Sequence, residues 1–268
     1  MSLYKSEVRK VNDIKIIGGY NKSGEPEEVT ITLRVGEIIS IVGPTGSGKS
    51  RLLGDIEWIA QKDTPTKRQV LINGRIPTDD IRFSIEEKLV SQLSQNMNFV
   101  MDVSVHAFIK MHAQSRGLDE KNPVIEKIIE KANQLAGEKF NKDTPITSLS
   151  GGQSRALMIA DTAYLSKSPI VLIDEIENAG IDRRKAIELL VKQEKIIIMA
   201  THDPILSLMA EKRIIIKNGG IYKVINTSKK EIENLDKLEE MDRQMMDIRN
   251  RLRKGERIEE IGEPVDKD

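Results

Sequence analysis

An α/β fold with a separate antiparallel β portion and an inserted block of helices is what the amino-acid sequence predicts, and three observations predict it. Residues 38–42 (Ile-Ile-Ser-Ile-Val), 170–173 (Ile-Val-Leu-Ile) and 196–200 (Ile-Ile-Ile-Met-Ala) are short, nearly unbroken apolar runs. Such runs mark strands buried on both faces of a parallel sheet. Residues 28–35 alternate instead, with Val29, Ile31, Leu33 and Val35 on one face, which predicts a wet side and an antiparallel neighbour. From about residue 104 to 165 the periodicity turns helical.

In chain order, 13–18 and 28–35 are predicted as strands. The run at 38–42 feeds a glycine-rich turn and a helix predicted from Lys49 to about residue 60. A polar connection over 61–68 leads to short strands near 69–72 and 88–91. In the helical block, one helix starts near Ser104 and ends at Gly117. A second follows Pro123, carries Ile125, Ile128, Ile129, Ala132 and Leu135, and has Gly137 past its end. A third opens at Ser150. A helix over 183–193 joins the two later buried strands, and Asn218-Gly219-Gly220 signals a hairpin between 212–217 and 221–225. Beyond Thr227 a charged helix carries Leu238, Met241, Met245, Ile248 and Leu252 at spacings of 3, 4, 3 and 4. This a/d stripe suits either packing on its own domain or pairing with a second copy. Residues 255–268 read as a frayed polar tail. The expected division is one domain over 1–226, with a helical subdomain inserted at about 96–165, and a C-terminal helical extension with its tail over 227–268.

Lys plus Arg equals Asp plus Glu, 42 each, so no global field draws the chain to nucleic acid or an anionic membrane, and nucleic acid is not expected as a partner. The absence of cysteine excludes disulfides, thiolate metal sites and Cys nucleophiles. The first residues are polar and charged, without a visible signal peptide. No apolar run approaches the roughly 20 residues that cross a bilayer. A soluble, cytoplasmic protein is expected.

The chemistry gathers at Gly43-Pro44-Thr45-Gly46-Ser47-Gly48-Lys49-Ser50, a strand–loop–helix phosphate-binding pattern. Glycines let such a loop curl so that successive N–H groups face phosphate oxygens, and the following helix adds its positive dipole end. Lys49 would reach the β- and γ-phosphates and the Ser50 hydroxyl would ligate Mg²⁺. A second apolar strand delivers Asp174 and Glu175 at its C-terminal edge, where ligands bind in an open α/β sheet. Asp174 suits Mg²⁺ and Glu175 suits a general base for an attacking water. Leu149-Ser150-Gly151-Gly152-Gln153 is the third motif: a helix N-cap on its own, and a second anion site at a helix N-terminus.

With these three motifs in this order, the chain resembles the nucleotide-binding domain of the ATP-binding-cassette (ABC) ATPases, over about residues 13–225. The resemblance implies a P-loop NTPase with an ABC-type core, an antiparallel β subdomain and a helical insert. It implies ATP and Mg²⁺ as ligands, and further site residues. Gln95 matches the Q-loop glutamine that touches Mg²⁺ and the lytic water, with Gln92 as its rival. Asp182 matches the D-loop and His202 the switch histidine at the γ-phosphate. Tyr20 stands where the family stacks an aromatic ring on adenine. His106 and His112 are expected to be surface or packing residues.

The family's geometry further implies a homodimer that sandwiches ATP, Ser150 and Gly152 of one copy capping the γ-phosphate held by Lys49 of the other. Hydrolysis would then release the closed pair. The expected use of that motion is as the ATPase subunit of a transporter, docked on a separate membrane-spanning subunit, with a soluble ATPase remodelling a protein or cofactor–enzyme complex as the alternative. Three departures bear on the choice. Arg51 replaces the usual Thr, Ile176 stands where transporter subunits carry Pro, and the linker 57–68 lacks the familiar glycine pattern. Asp174-Glu175-Ile176 is more similar to the soluble branches of the family.

Overall fold

The computed structural model describes residues 10–84, 88–94, 99–119, 122–176 and 180–258. Among them the main sheet has the order β5 (Val90–Leu93), β6 (Ile170–Asp174), β7 (Ile196–Ala200), β3 (Ile38–Val42), β8 (Lys212–Lys217), β9 (Gly220–Asn226). All neighbours are parallel except the β8–β9 hairpin. The three apolar runs are therefore adjacent central strands. Their lack of alternation has a direct cause: successive side chains enter two different cores. Ile170, Leu172, Ile196 and Ile198 join Ile39 and Ile41 on one face, whereas Val171, Ile173, Ile197 and Met199 point into the other.

The first core lies between the main sheet, helix α1 (Lys49–Glu57) and a three-stranded antiparallel sheet ordered β2 (Thr30–Arg34), β1 (Asp13–Ile17), β4 (Gln69–Ile72). In β2 only Ile31 and Leu33 are buried, as the alternation predicts. The second core is built with the helical block: α3 (Val105–Ser115), α4 (Val124–Leu135) and α5 (Gly151–Tyr164), following the four-residue α2 (Asp79–Arg82). Ser104 caps α3, its side chain accepting from Ala107 N at 3.2 Å. Gly117 closes α3 at φ +75°, with Leu118 N donating to Ala113 O, the paired bonds of a left-handed C-terminal cap.

Several predicted boundaries move. The helix after the glycine-rich loop stops at Glu57 because Ile59 turns into the left-handed region. The strand expected at 88–91 is Val90–Leu93, and the helix expected at 183–193 is α6 (Arg183–Val191). Gly137 does not cap α4. The chain there is extended, and Gly137 N donates to Gly180 O at 3.2 Å, an approach that leaves a Cβ only 3.0 Å from that oxygen. A short helix α7 (Pro204–Met209), opened by the Asp203 side chain and Pro204, adds to the predicted elements.

The chain divides into two units, Met1–Asn226 and Thr227–Asp268. In the second, Ser228 and Glu231 form a reciprocal cap on α8 (Lys229–Glu233), and α9 (Leu235–Arg253) follows. None of its described residues is buried, and the stripe residues Met241, Met245 and Leu252 are exposed.

Candidate functional site

Parallel pairing places the ends of three adjacent strands together. β3 opens into Gly43–Ser50, β6 ends at Asp174 opposite Ala200 of β7, and β7 leads into Thr201 and His202. Lys49, the first residue of α1 and 6% exposed, turns its ammonium back over the loop. Its Nζ lies 3.0 Å from Gly43 O and 2.9 Å from His202 Nε2. The same imidazole nitrogen is 3.6 Å from Glu175 Oε1. Lysine, histidine and glutamate thus meet at one point from three strand ends.

Glu175 occupies the left-handed region at φ +50°, a strained conformation for a residue with a side chain. Its N–H donates to Ala200 O at 3.0 Å and its carbonyl accepts from Arg155 NH1 at 3.4 Å. The next residue, Ile176, is 1% exposed and belongs to the helical-side core. This departure from the transporter pattern is a packing residue.

A cleft of about 380 Å³ opens beside this point. Tyr20 forms one wall, Thr45, Gly46, Gly48, Lys49, Ser50 and Arg51 the floor, and Glu175 reaches its edge. Tyr20 is 49% exposed, its N–H held by Thr66 O at 2.7 Å. The loop is shaped partly by the β8–β9 turn. Gly219 N donates to Ser47 O at 2.7 Å, and a Cβ on Gly48 (φ +110°) would lie 2.8 Å from Gly219 Cα. Asn218 and Gly219 both have positive φ, as the predicted hairpin turn requires. Sequence reasoning missed that Lys22, Pro65, Thr66 and Gly219 also line the cleft. Lys22, Pro65 and Thr66 carry no motif, Gly219 was legible only as part of a hairpin turn, and only folding brings the four there.

Among the described residues, Leu149, Ser150, Gly151, Gly152 and Gln153 do not line this cleft. Ser150 caps α5. Its Oγ accepts from Gln153 N at 3.3 Å while Gln153 Oε1 accepts from Ser150 N at 2.9 Å. Asp182 likewise caps α6, accepting from Lys185 N at 3.1 Å, and its own N–H donates to Leu135 O at 2.9 Å. Arg183, beside it, ion-pairs with Asp203, the neighbour of His202. Gln95 lies outside the described residues, whereas Gln92 sits within β5. His112 packs on the Phe108 ring at 4.2 Å and pairs with Asp161 at 3.2 Å; His106 faces Glu126 at 3.9 Å. No helix of the described residues is long and apolar enough to cross a membrane.

Comparison with known proteins shows the family and the fold. The profile of the family described as ABC transporter matches residues 26–178. An uncharacterized ABC transporter ATP-binding protein of Methanocaldococcus jannaschii is 50% identical over 93% of this chain and 95% of its own length. An energy-coupling factor transporter ATP-binding protein of Mycoplasmopsis synoviae is 29% identical over 80% of this chain and 78% of its own. Among solved structures, cbiO1 of Clostridium perfringens, part of the ABC transporter complex cbiONQ, has a TM-score of 0.62 at 23% identity, covering 88% of this chain and 100% of that one. A dimeric ATP-binding cassette in a post-hydrolysis state, bound to ADP and Pi, scores 0.59 at 22% identity over 80% and 99% of the two chains. At such identities the two structures speak for the fold alone. On the family profile and the 50% identical relative, the chain belongs to the ABC transporter family and is an ATP hydrolase.

Proposed function

We propose that the chain is the ATPase subunit of an ABC transporter, and that two copies close head to tail around Mg-ATP. The observation that carries this reading is the meeting of Lys49, His202 and Glu175 beside an open cleft walled by Tyr20, while the signature residues lie outside that cleft. A nucleotide held by one copy then has its γ-phosphate side free for Ser150 and Gly152 of the other.

The Lys49 ammonium and the N–H groups of Gly43, Thr45, Gly46, Ser47, Gly48 and Ser50 hold the phosphates at the positive end of α1, whose first turn carries no acid, while Pro44, which has no N–H, shapes the loop. Arg51 adds a cation, and Tyr20 offers its ring face to adenine. Mg²⁺ fits the donors present. It takes oxygen ligands, keeps several waters and commonly uses one or two protein oxygens beside substrate phosphates. The Ser50 hydroxyl, in the cleft, and the Asp174 carboxylate, at the end of β6, are such donors, with Gln95 proposed beside them. When bound, the cation neutralises charge on the phosphates. Glu175 takes a proton from the attacking water and His202 steadies the γ-phosphate. Asp182 is proposed to face the partner copy.

A membrane-spanning partner is supported by the relatives, since those of M. jannaschii and M. synoviae are transporter ATP-binding proteins. The test uses Glu175→Gln. Hydrolysis should fall by roughly 100-fold or more, and the mass measured by light scattering should double with Mg-ATP and revert with ADP. Retained turnover removes Glu175 from the base role, and a mass indifferent to ATP overturns the closed pair. The same variant, incubated with detergent-solubilised native membranes, should retain a polytopic membrane protein with ATP and release it with ADP.

A further inference from the structure

Arg68 belongs to the linker that departs from the family pattern, and it is 0% exposed. All three nitrogens of its fork are engaged. Nε and NH2 reach the Glu27 carboxylate at 2.9 and 2.5 Å, NH1 reaches Asp55 Oδ2 at 2.8 Å, and NH2 also donates to Gly219 O at 2.8 Å. The two acids are engaged in turn. Glu27 accepts from Gly19 N at 2.9 Å and from Ile221 N at 2.6 Å, and Asp55 accepts from Thr66 Oγ1 at 2.8 Å. Burial acts to raise the Glu27 pKa, but the bonds from Arg68, Gly19 and Ile221 outweigh it and hold the carboxyl below its ordinary value.

The segments so tied are those that line the cleft. Gly19 precedes Tyr20, Thr66 O holds Tyr20 N, Asp55 lies on α1, and Gly219 N donates to Ser47 O in the phosphate loop. The phosphate loop has β3 and α1 on either side to hold it. The Tyr20 segment follows β1 and has an isolated bridge to Pro26, these bonds, and two from Lys22, whose N–H donates to Asn218 O at 2.9 Å and whose Nζ donates to Gly46 O at 3.0 Å. We propose that Arg68 is a positioning residue for nucleotide binding, fixing the base-side wall of Tyr20 and Thr66 against the phosphate loop through Glu27, Asp55 and the Gly219 carbonyl. The proposal rests on the reading of the cleft as the ATP site.

Its consequence is selective. Loosening Arg68 should cost the adenosine part of the ligand far more than the phosphates. Arg68→Met alone leaves two buried carboxylates without their cation and risks unfolding. Arg68→Met with Glu27→Gln and Asp55→Asn removes the bridges and the charges together. Binding of ATP and of inorganic tripolyphosphate is measured by calorimetry on the wild type and this triple variant. ATP should weaken about tenfold, the order of one stacking platform, and tripolyphosphate less than about twofold. KM for ATP should rise more than kcat falls. Equal weakening of both ligands, as a merely structural role gives, overturns the proposal.

A measurement on the unmodified chain decides the matter even if no variant folds. Amide exchange at Gly19, Ile221 and Gly219 should slow together with ATP, and at Gly219 alone with tripolyphosphate. Equal protection by both ligands overturns the proposal. A wild type that does not bind ATP overturns the functional reading and this one with it. A preference for ATP that survives in the triple variant overturns this one alone.

Discussion

Lys49 Nζ and His202 Nε2 are 2.9 Å apart, although they follow two different strands of the main sheet, the paired β3 and β7. An ammonium has donors only, so in this contact the imidazole nitrogen is the acceptor. A γ-phosphate needs the reverse at Nε2, a donor. If His202 meets the γ-phosphate as proposed, Lys49 must leave it and Nε2 must present a donor as nucleotide enters.

The ¹⁵N spectrum of His202 should therefore report an unprotonated Nε2 without nucleotide and a protonated one with ATP bound to Glu175→Gln. His202→Ala should slow hydrolysis by roughly 100-fold while ATP still binds. An Nε2 that is protonated in both states would end this account.

Ser150 has two separable tasks, the cap on α5 and the proposed contact with a partner's nucleotide. Ser150→Ala should cost about 1 kcal/mol of stability, the usual worth of a cap. Ser150→Asp keeps a capping oxygen but adds negative charge. It should unfold like the wild type in urea yet lose ATP-dependent pairing. An aspartate variant with full ATPase would assign Ser150 to the cap alone.

Two glycines of the same segment should respond with opposite signs. Gly54, inside α1, has open space for 4 Å around the point where a Cβ would stand, so Gly54→Ala should stabilise by about 0.5–1 kcal/mol. Gly48→Ala must hold φ near +110° with its methyl 2.8 Å from Gly219 Cα. It should destabilise by about 1–3 kcal/mol and weaken ATP. Thermal unfolding of the pair checks both signs.

Glu27 gives the fold a pH dependence. Its native pKa is held below the ordinary 4.5, so the stability it contributes is complete above that value and lost as pH falls through the lower native one. Near neutral pH, Glu27→Gln should be less stable by roughly 3 kcal/mol, as for a broken buried pair. The difference in Tm should shrink steadily below about pH 4.5. A gap that stays constant to pH 3 would remove the ionised carboxylate from the explanation.

The strands and motifs were legible because each is written locally. A doubly buried strand needs apolar residues throughout, as in Ile38–Val42, and a tight hairpin needs Asn-Gly, as at Asn218-Gly219. Ser150 was legible as a cap, and the reciprocal role of Gln153 is a further local feature. Arg68 was not legible. Nothing in a polar linker announces acids 41 and 13 positions upstream, and burial of a lone arginine is decided only when both meet it. The pairing of Lys49 with His202 was equally hidden, since the motifs name both residues but not their contact with each other.

β3 has its two neighbours, β7 and β8, late in the chain, with Ile39 opposite Ile198 and Lys212. During synthesis it therefore emerges with both edges bare, and Arg68 follows it without the Gly219 carbonyl it will need. A ribosome-bound fragment ending before Lys212 has no finished binding pocket and exposes a sticky strand, the kind of client that chaperones retain. The cleft is thus complete only in chains that have closed the β8–β9 hairpin, whose Gly219 lines it.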